Sequence, residues 1–399
     1  MVDIHRTWNR FLPQGRLTIK ATAFLLALAG LFYPLIAVQP ATARSFKVLH
    51  SFKGKKDGAH ADAGLVQNSQ GNLYGTTSGD NESHFGTVYK LDSANVETVL
   101  HNFTDHKDGG IPFCDLVLDD GGNIYGTTSA GGRHNQGTVF KISGGGLETV
   151  LYNFTGGSDG GVPDAGVIRD SVDNFYGTTS AGGASGGGVV FKLDSTGKET
   201  VLYRFTGGAD GSLPAAPLIQ DASGNLYGTT AEGGNSGAGV IFKLDTAGKE
   251  TVLYSFTGGK DGAFPLAGLV RDSAGNLYGT ALEGGRTNNG TVFKLAAGGK
   301  FAVLYGFKAA PDGAFPHGGL VRDQAGNFYG TTLEGGKSGL GTVFMLSKTG
   351  KETILHNFAG TNDGEDPLST LFRDSAGNLY GATDSGGKYG WGTVFKLTP

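Results

Sequence analysis

The sequence repeats itself at a fixed interval of 51 residues, without an insertion or deletion. The strand signal heading each copy begins at Phe46, Glu97, Glu148, Glu199, Glu250, Phe301 and Glu352. An Asp-Gly pair keeps the same spacing, at Asp57, Asp108, Asp159, Asp210, Asp261, Asp312 and Asp363. A glycine ahead of the Thr-Val-Phe run does so too, from Gly86 to Gly392. A period of this length means a propeller or a solenoid, not independent domains.

One copy, Glu250 to Leu295, shows what each unit contains. Glu250-Thr251-Val252-Leu253-Tyr254, Gly268-Leu269-Val270-Arg271, Asn276-Leu277-Tyr278-Gly279-Thr280 and Thr291-Val292-Phe293-Lys294-Leu295 are short runs rich in β-branched, aromatic and leucine residues. Gly, Asp, Asn and Pro separate them, so each copy reads as four strands and no helix. The runs scarcely alternate polar with apolar, as strands covered on both faces require, and stacked blades supply that cover. Asp272 to Gly275 and Asp245 to Gly248 are short turns suited to hairpins. The longest link, Phe256 to Gly268, carries Pro265 and should leave the outer edge of one blade for the inner strand of the next. The Gly-Leu-Val-Arg-Asp run is then innermost and the Glu-Thr-Val-Leu-Tyr run outermost. In that phase the chain opens with an orphan outer strand, Phe46 to Phe52, and ends just after a third strand, Gly392 to Leu397. Ring closure unites them and leaves no bare edge. The expected fold is an all-β, seven-bladed β-propeller with four antiparallel strands per blade, closed by the N-terminal strand.

Glycine at 72 of 399 residues suggests disorder only where aromatics are few and no period exists. Here aromatics reach 10% and the glycines recur at fixed offsets, as turn residues do. Residues 1–43 differ from the rest. Arg6, Arg10, Arg16 and Lys20 precede an almost wholly apolar run from Ala21 to Val38, and Ala41-Thr42-Ala43 offers small residues for cleavage. This segment reads as a signal peptide, with an uncleaved anchor as the competing reading. The expected organisation is therefore a signal peptide at 1–43 and the propeller at 44–399, in an exported protein, periplasmic or extracellular. Cleavage removes four basic residues and Asp3, which lowers the formal net charge by three from -4. An acidic mature chain with no basic run speaks against nucleic acid and against stable attachment to an anionic membrane. Cys114 is the only cysteine, so no internal disulfide can form, and its position holds Ala in other copies.

These residues resemble the bacterial GloVer tandem-repeat proteins. The hallmark Gly-Thr-Val-Phe-Lys-Leu stands at Gly290 to Leu295 and Gly392 to Leu397, and at Gly137 to Ile142 with Ile last. The resemblance covers essentially residues 46–399 and implies an exported protein, often tethered by a C-terminal anchor. It implies no catalytic residues. Only Thr398 and Pro399 follow Leu397, so no such anchor is expected here. The Gly-Asn-Leu-Tyr run is also similar to lactonase-like and NHL-type propeller repeats.

A residue present in every copy is most economically assigned to the scaffold. The Asp-Gly pairs could form a calcium ring, but no copy has the spacing of a calcium loop, and a turn is the simpler reading. Tyr74, Tyr125, Tyr176, Tyr227, Tyr278, Tyr329 and Tyr380 could stack on sugars; as core between blades, each hydroxyl would be satisfied locally. Gly183 to Gly187 matches a nucleophile elbow in letters only, because Ser185 falls in a glycine-rich hairpin loop. His60, His84, His106, His134 and His317 fall in loops of one face, without zinc-like spacing.

The site is expected where the copies disagree. The position after the repeated proline reads Asp62, Phe113, Asp164, Ala215, Leu266, His317 and Leu368. Asp62, Asp164 and His317 are ionisable where the ring narrows, and on the same face Glu232, Glu283 and Glu334 of successive blades should form an acidic arc. A ligand or hard cation at these six residues is the functional reading; freely drifting solvated loop residues are the competing one. No catalytic residue or cofactor is assigned, and metal use is left open. The sequence favours a non-enzymatic monomeric module that binds or scaffolds a polysaccharide, peptide or envelope partner. The alternative is a hydrolase or lactonase-like enzyme at the channel mouth.

Overall fold

The computed structural model describes residues 44–79 and 84–399; the expected signal segment lies outside them. Seven four-stranded antiparallel sheets form the ring of a β-propeller. Blade 1 comprises Val66–Gln67, Leu73–Thr77, Thr87–Leu91 and Glu97–Asn102, ordered from the axis outwards. Blade 4 comprises Ile219–Gln220, Leu226–Thr230, Val240–Leu244 and Glu250–Ser255; blade 5 has Val270–Arg271, Leu277–Ala281, Thr291–Leu295 and Phe301–Gly306. Blade 7 takes Phe372–Arg373, Leu379–Thr383 and Thr393–Thr398 from the end of the chain. Its outer strand is Ser45–Ser51, paired from Ser45 opposite Thr398 to Ser51 opposite Thr393, with a bulge after Val48. The expected closure is what the structure has.

The innermost strands are shorter than their sequence signal. Only Val270 and Arg271 of the Gly268 to Asp272 run pair with the next strand, opposite Tyr278 and Leu277. The residues before them run along the axis, where neighbouring blades converge and a ladder has no room to extend.

Two recurring contacts weld blade to blade. A phenylalanine just past each outer strand packs edge-on against an aromatic of the next blade's third strand. Phe256 on Phe293 has ring centroids 5.2 Å apart, and Phe205 on Phe242 5.1 Å. All four rings are fully buried, and burying each contributes about 2 kcal/mol. The seam that closes the ring has the same contact, Phe52 on Tyr89 at 5.1 Å. Second, a threonine hydroxyl of the second strand donates to an inner carbonyl of the next blade, as Thr127 does to Ala165 at 2.9 Å and Thr331 to Ser369 at 3.1 Å. Blade 7 holds Ala382 at that position and lacks this bond.

The scaffold reading of the repeated residues is the one the geometry supports. Asp261 accepts from the Thr257 amide and from the Tyr254 hydroxyl, while Gly262 turns the chain at φ 116°. The Tyr278 hydroxyl donates to Asp272 at 3.0 Å, and Lys294 lies over the Tyr278 ring at 5.4 Å. Cys114 is buried; its thiol donates to the Thr127 carbonyl at 3.1 Å, and burial pushes it up to about 11. Ser369, the equivalent residue of blade 7, bridges the Ala382 backbone in the same way.

Candidate functional site

The loops that enter each inner strand and the hairpins between second and third strands share one face. Backbone bridges tie them: Ser212 pairs with Glu232, Ala263 with Glu283, and Ala314 with Glu334. Chain alternation beyond the proline turns every other residue towards the axis. All seven residues after the proline position accordingly line one central cavity of about 70 Å³, with Asp62, Asp164 and His317 among them. That volume admits a small ion or a polar group a few atoms across, and no sugar ring.

Asp62 is 7% exposed, so it is no solvated loop residue. Ser78 Oγ donates to its Oδ2 at 2.8 Å, and the Asp384 carboxyl stands beside it. Burial first, and Asp384 second, push Asp62 well above the usual carboxylate range. Asp384 goes the other way. Burial raises it, but the bond to His60, 3.1 Å from Nδ1 to Oδ1, together with Asp62 and Ser385, outweighs burial and holds it at about 2. The bond to Asp384 raises His60 in turn. Burial raises Asp164 against the Ser180 hydroxyl, and burial lowers His317, which therefore stands as a neutral imidazole near a Leu368 backbone group.

Two residues of this mouth escaped the sequence reading, and a third was seen without its partner. Asp115 lines the same cavity, accepts from the Gly64 amide at 2.6 Å, and is raised by burial. Asp115 lies two residues past Phe113, so strand alternation turns it to the same side, a step the choice of the variable post-proline column did not take. Asp384 belongs to a column reading Ser78, Ser129, Ser180, Ala231, Leu282, Leu333 and Asp384, which also varies, though less than the one chosen. His60 was visible only as a loop histidine; its bond to Asp384 gives it a place.

The column two residues before the channel position has a second property. His60, Ile111, Val162, Leu213, Phe264, Phe315 and Asp366 all have φ between 54° and 60°. Branched and aromatic residues rarely take this left-handed conformation. It is held by two backbone bonds per copy: Leu213 N–H donates to Gly187 of the preceding blade at 3.1 Å, and its carbonyl accepts from Ala231 at 3.0 Å. The mouth is thus framed by an apolar sector through blades 2 to 6 and a charged one at blades 7 and 1.

Glu232, Glu283 and Glu334 occupy equivalent hairpin positions on blades 4, 5 and 6, but none lines the cavity. Glu232 and Glu334 are exposed and Glu283 half-buried. Of the histidines, His106 and His134 are exposed in the outer loops, and Ser185 is exposed in its hairpin. Among the described residues no group of three His, Cys, Asp or Glu side chains has metal-binding geometry.

Comparison with known proteins bears on the scaffold. The Gloeobacter/Verrucomicrobia repeat matches residues 35–222, 114–325 and 214–399. No match was found among the curated proteins. Similar solved structures include virginiamycin B lyase of Staphylococcus aureus, with quinupristin, at 13% identity and TM-score 0.59, covering 89% of this chain and 100% of that one. The extracellular domain of the putative one component system BT4673 of Bacteroides thetaiotaomicron aligns at 11% identity and TM-score 0.58, over 88% of this chain and 39% of that one. A putative 6-phosphogluconolactonase of Bacteroides uniformis aligns at 15% and TM-score 0.51, over 78% and 88%. At these identities the likeness is one of fold.

Proposed function

We propose that this chain, which belongs to the Gloeobacter/Verrucomicrobia repeat family, is an exported binding or scaffold module that holds its envelope or extracellular ligand at the mouth of the central channel. One observation carries the reading. Where the Tyr-Gly columns of the second strand repeat letter for letter, the seven side chains that converge on the axis range over carboxylate, imidazole, aromatic and aliphatic chemistry. A scaffold needs no such variety there, whereas recognition does. The cavity volume limits the part of a ligand that enters to a small polar group, so a polysaccharide or peptide partner would engage the mouth through a substituent. The extracellular setting of the BT4673 propeller supports export. Catalysis is not favoured, because Ser185 is exposed outside the mouth and a propeller alone specifies no reaction.

The test compares the wild type with a variant in which Asp62, Asp164 and His317 are all changed to Ala. A panel of metal ions, glycans and peptides is scored by thermal shift. At least one ligand is expected to stabilise the wild type and not the variant. If no ligand separates the two proteins, the channel mouth is not the site.

A further inference from the structure

Blade 5 departs from the other six along its outer strand. The first residue is Phe301, shared with Phe46 of blade 7, where five copies have Glu; the last, in blade 5 alone, is Gly306, where the other copies read Ser51, Asn102, Asn153, Arg204, Ser255 and Asn357. That last position has work to do elsewhere. Asn153 accepts from the Arg133 amide at 2.9 Å, Ser255 from Asn235 at 2.9 Å and Asn357 from Lys337 at 2.9 Å, each capping the hairpin loop of its own blade. Gly306 has no side chain to offer Arg286, the residue equivalent to these donors. A Cβ on Gly306 would meet nothing within 4 Å. The missing side chain leaves a groove of about 590 Å³, floored by Val303 and Leu304 and within the size range of small-molecule sites.

Lys260, Arg286 and Lys308 surround this groove, and no acidic residue lines it. Among the described residues none of the three is ion-paired with a carboxylate. Their equivalents are all basic in no other blade; blade 4, for instance, has Ala209, Asn235 and Thr257. Three uncompensated cations on an acidic protein, beside an uncapped amide and over an apolar floor, are complementary to one kind of occupant.

We propose that the outer groove of blade 5 binds an amphipathic anion, a carboxylate or sulfonate on a hydrocarbon body. The acid group accepts from the Arg286 amide and guanidinium between Lys260 and Lys308, taking the place of the side chain that other blades supply. The hydrocarbon lies along Val303, which is 39% exposed, and Leu304. This site is on the rim, apart from the channel mouth, and does not depend on that reading.

The experiment titrates 8-anilinonaphthalene-1-sulfonate by fluorescence, with decanoate as competitor and decyltrimethylammonium as the charge-reversed control. One tight probe site is expected, displaced by decanoate and not by the ammonium. Gly306→Asn restores the side chain that three other blades carry, so it should keep the melting temperature and weaken binding at least tenfold. Lys308→Gln should weaken it several-fold and reduce its salt dependence, and it decides the matter if Gly306→Asn fails to fold. The Asp62, Asp164 and His317 triple variant should bind the probe as the wild type does. Absence of a site in the wild type, unchanged affinity in Gly306→Asn, or equal competition by the ammonium overturns the proposal.

Discussion

Gly228 and Phe242 face each other across the second and third strands of blade 4, so closely that a β-carbon on the glycine would stand 2.7 Å from the ring's Cζ. Leu218 closes the same space at 2.9 Å. The glycine is therefore there for packing, as a glycine within a strand usually is. Replacing Gly228 with Val should destabilise the protein by ~3 kcal/mol in denaturant titration, through overpacking of a fully buried ring. An unchanged midpoint would contradict the packing assignment.

Tyr89 occupies the position where the other six blades hold Phe, and its hydroxyl is buried without a hydrogen-bond partner. An unsatisfied buried hydroxyl costs about 1 kcal/mol or more. Tyr89→Phe should raise the melting temperature, and a lower one would show that the hydroxyl has a partner in solution.

Glu97, Glu148, Glu199, Glu250 and Glu352 head five outer strands, each half-buried, with Oε1 unpartnered. Burial, reinforced by a nearby aspartate, raises each from 4.5 to about 7. Between those values the unfolded chain holds fewer protons than the folded one, so stability falls as pH rises from 4.5 through 7 and levels off above. The melting temperature of a variant with all five changed to Gln should fall less than that of the wild type between pH 5 and pH 8. Parallel pH profiles would remove these residues from the account.

Deleting Ser45 to Phe52 strips blade 7 of its outer strand and exposes Thr393–Thr398 as an edge, while Tyr89 loses its aromatic neighbour. The truncated protein should aggregate or melt far below the wild type. A monomer of undiminished stability, by light scattering and calorimetry, would show that closure contributes little.

The strand phase, the ring closure and the channel column were all legible because a strict period lets each column be compared seven times. Pro265 and the long link after Phe256 were enough to place the innermost strand. What stayed hidden lies between columns. Asp62 reads as a loop carboxylate until Ser78 and Asp384 are beside it, and no spacing rule brings Asp384 to Asp62 across the seam of the ring. The left-handed ring was illegible for the opposite reason: Ile111, Val162 and Phe264 are residue types that avoid positive φ, and bonds to the preceding blade impose it. Glu232, Glu283 and Glu334 were placed on the correct face, yet side chains at that hairpin position stand outside the narrow cavity.

The pairing of Ser45–Ser51 with Thr393–Thr398 also sets an order of events. During synthesis the first strand of the ring is made before any of its partners, and its mate is made last. Each of blades 1 to 6 can assemble from residues close in sequence, whereas blade 7 must close a loop spanning nearly the whole described chain. Such long-range closure is slow, and its entropic cost is offset only when the contacts form. Until then the growing structure is an open array with two unsatisfied ends, able to capture the free strand of another copy. Six blades can therefore be complete while the molecule is still short of its native state, and the final step should be the one most sensitive to protein concentration during refolding.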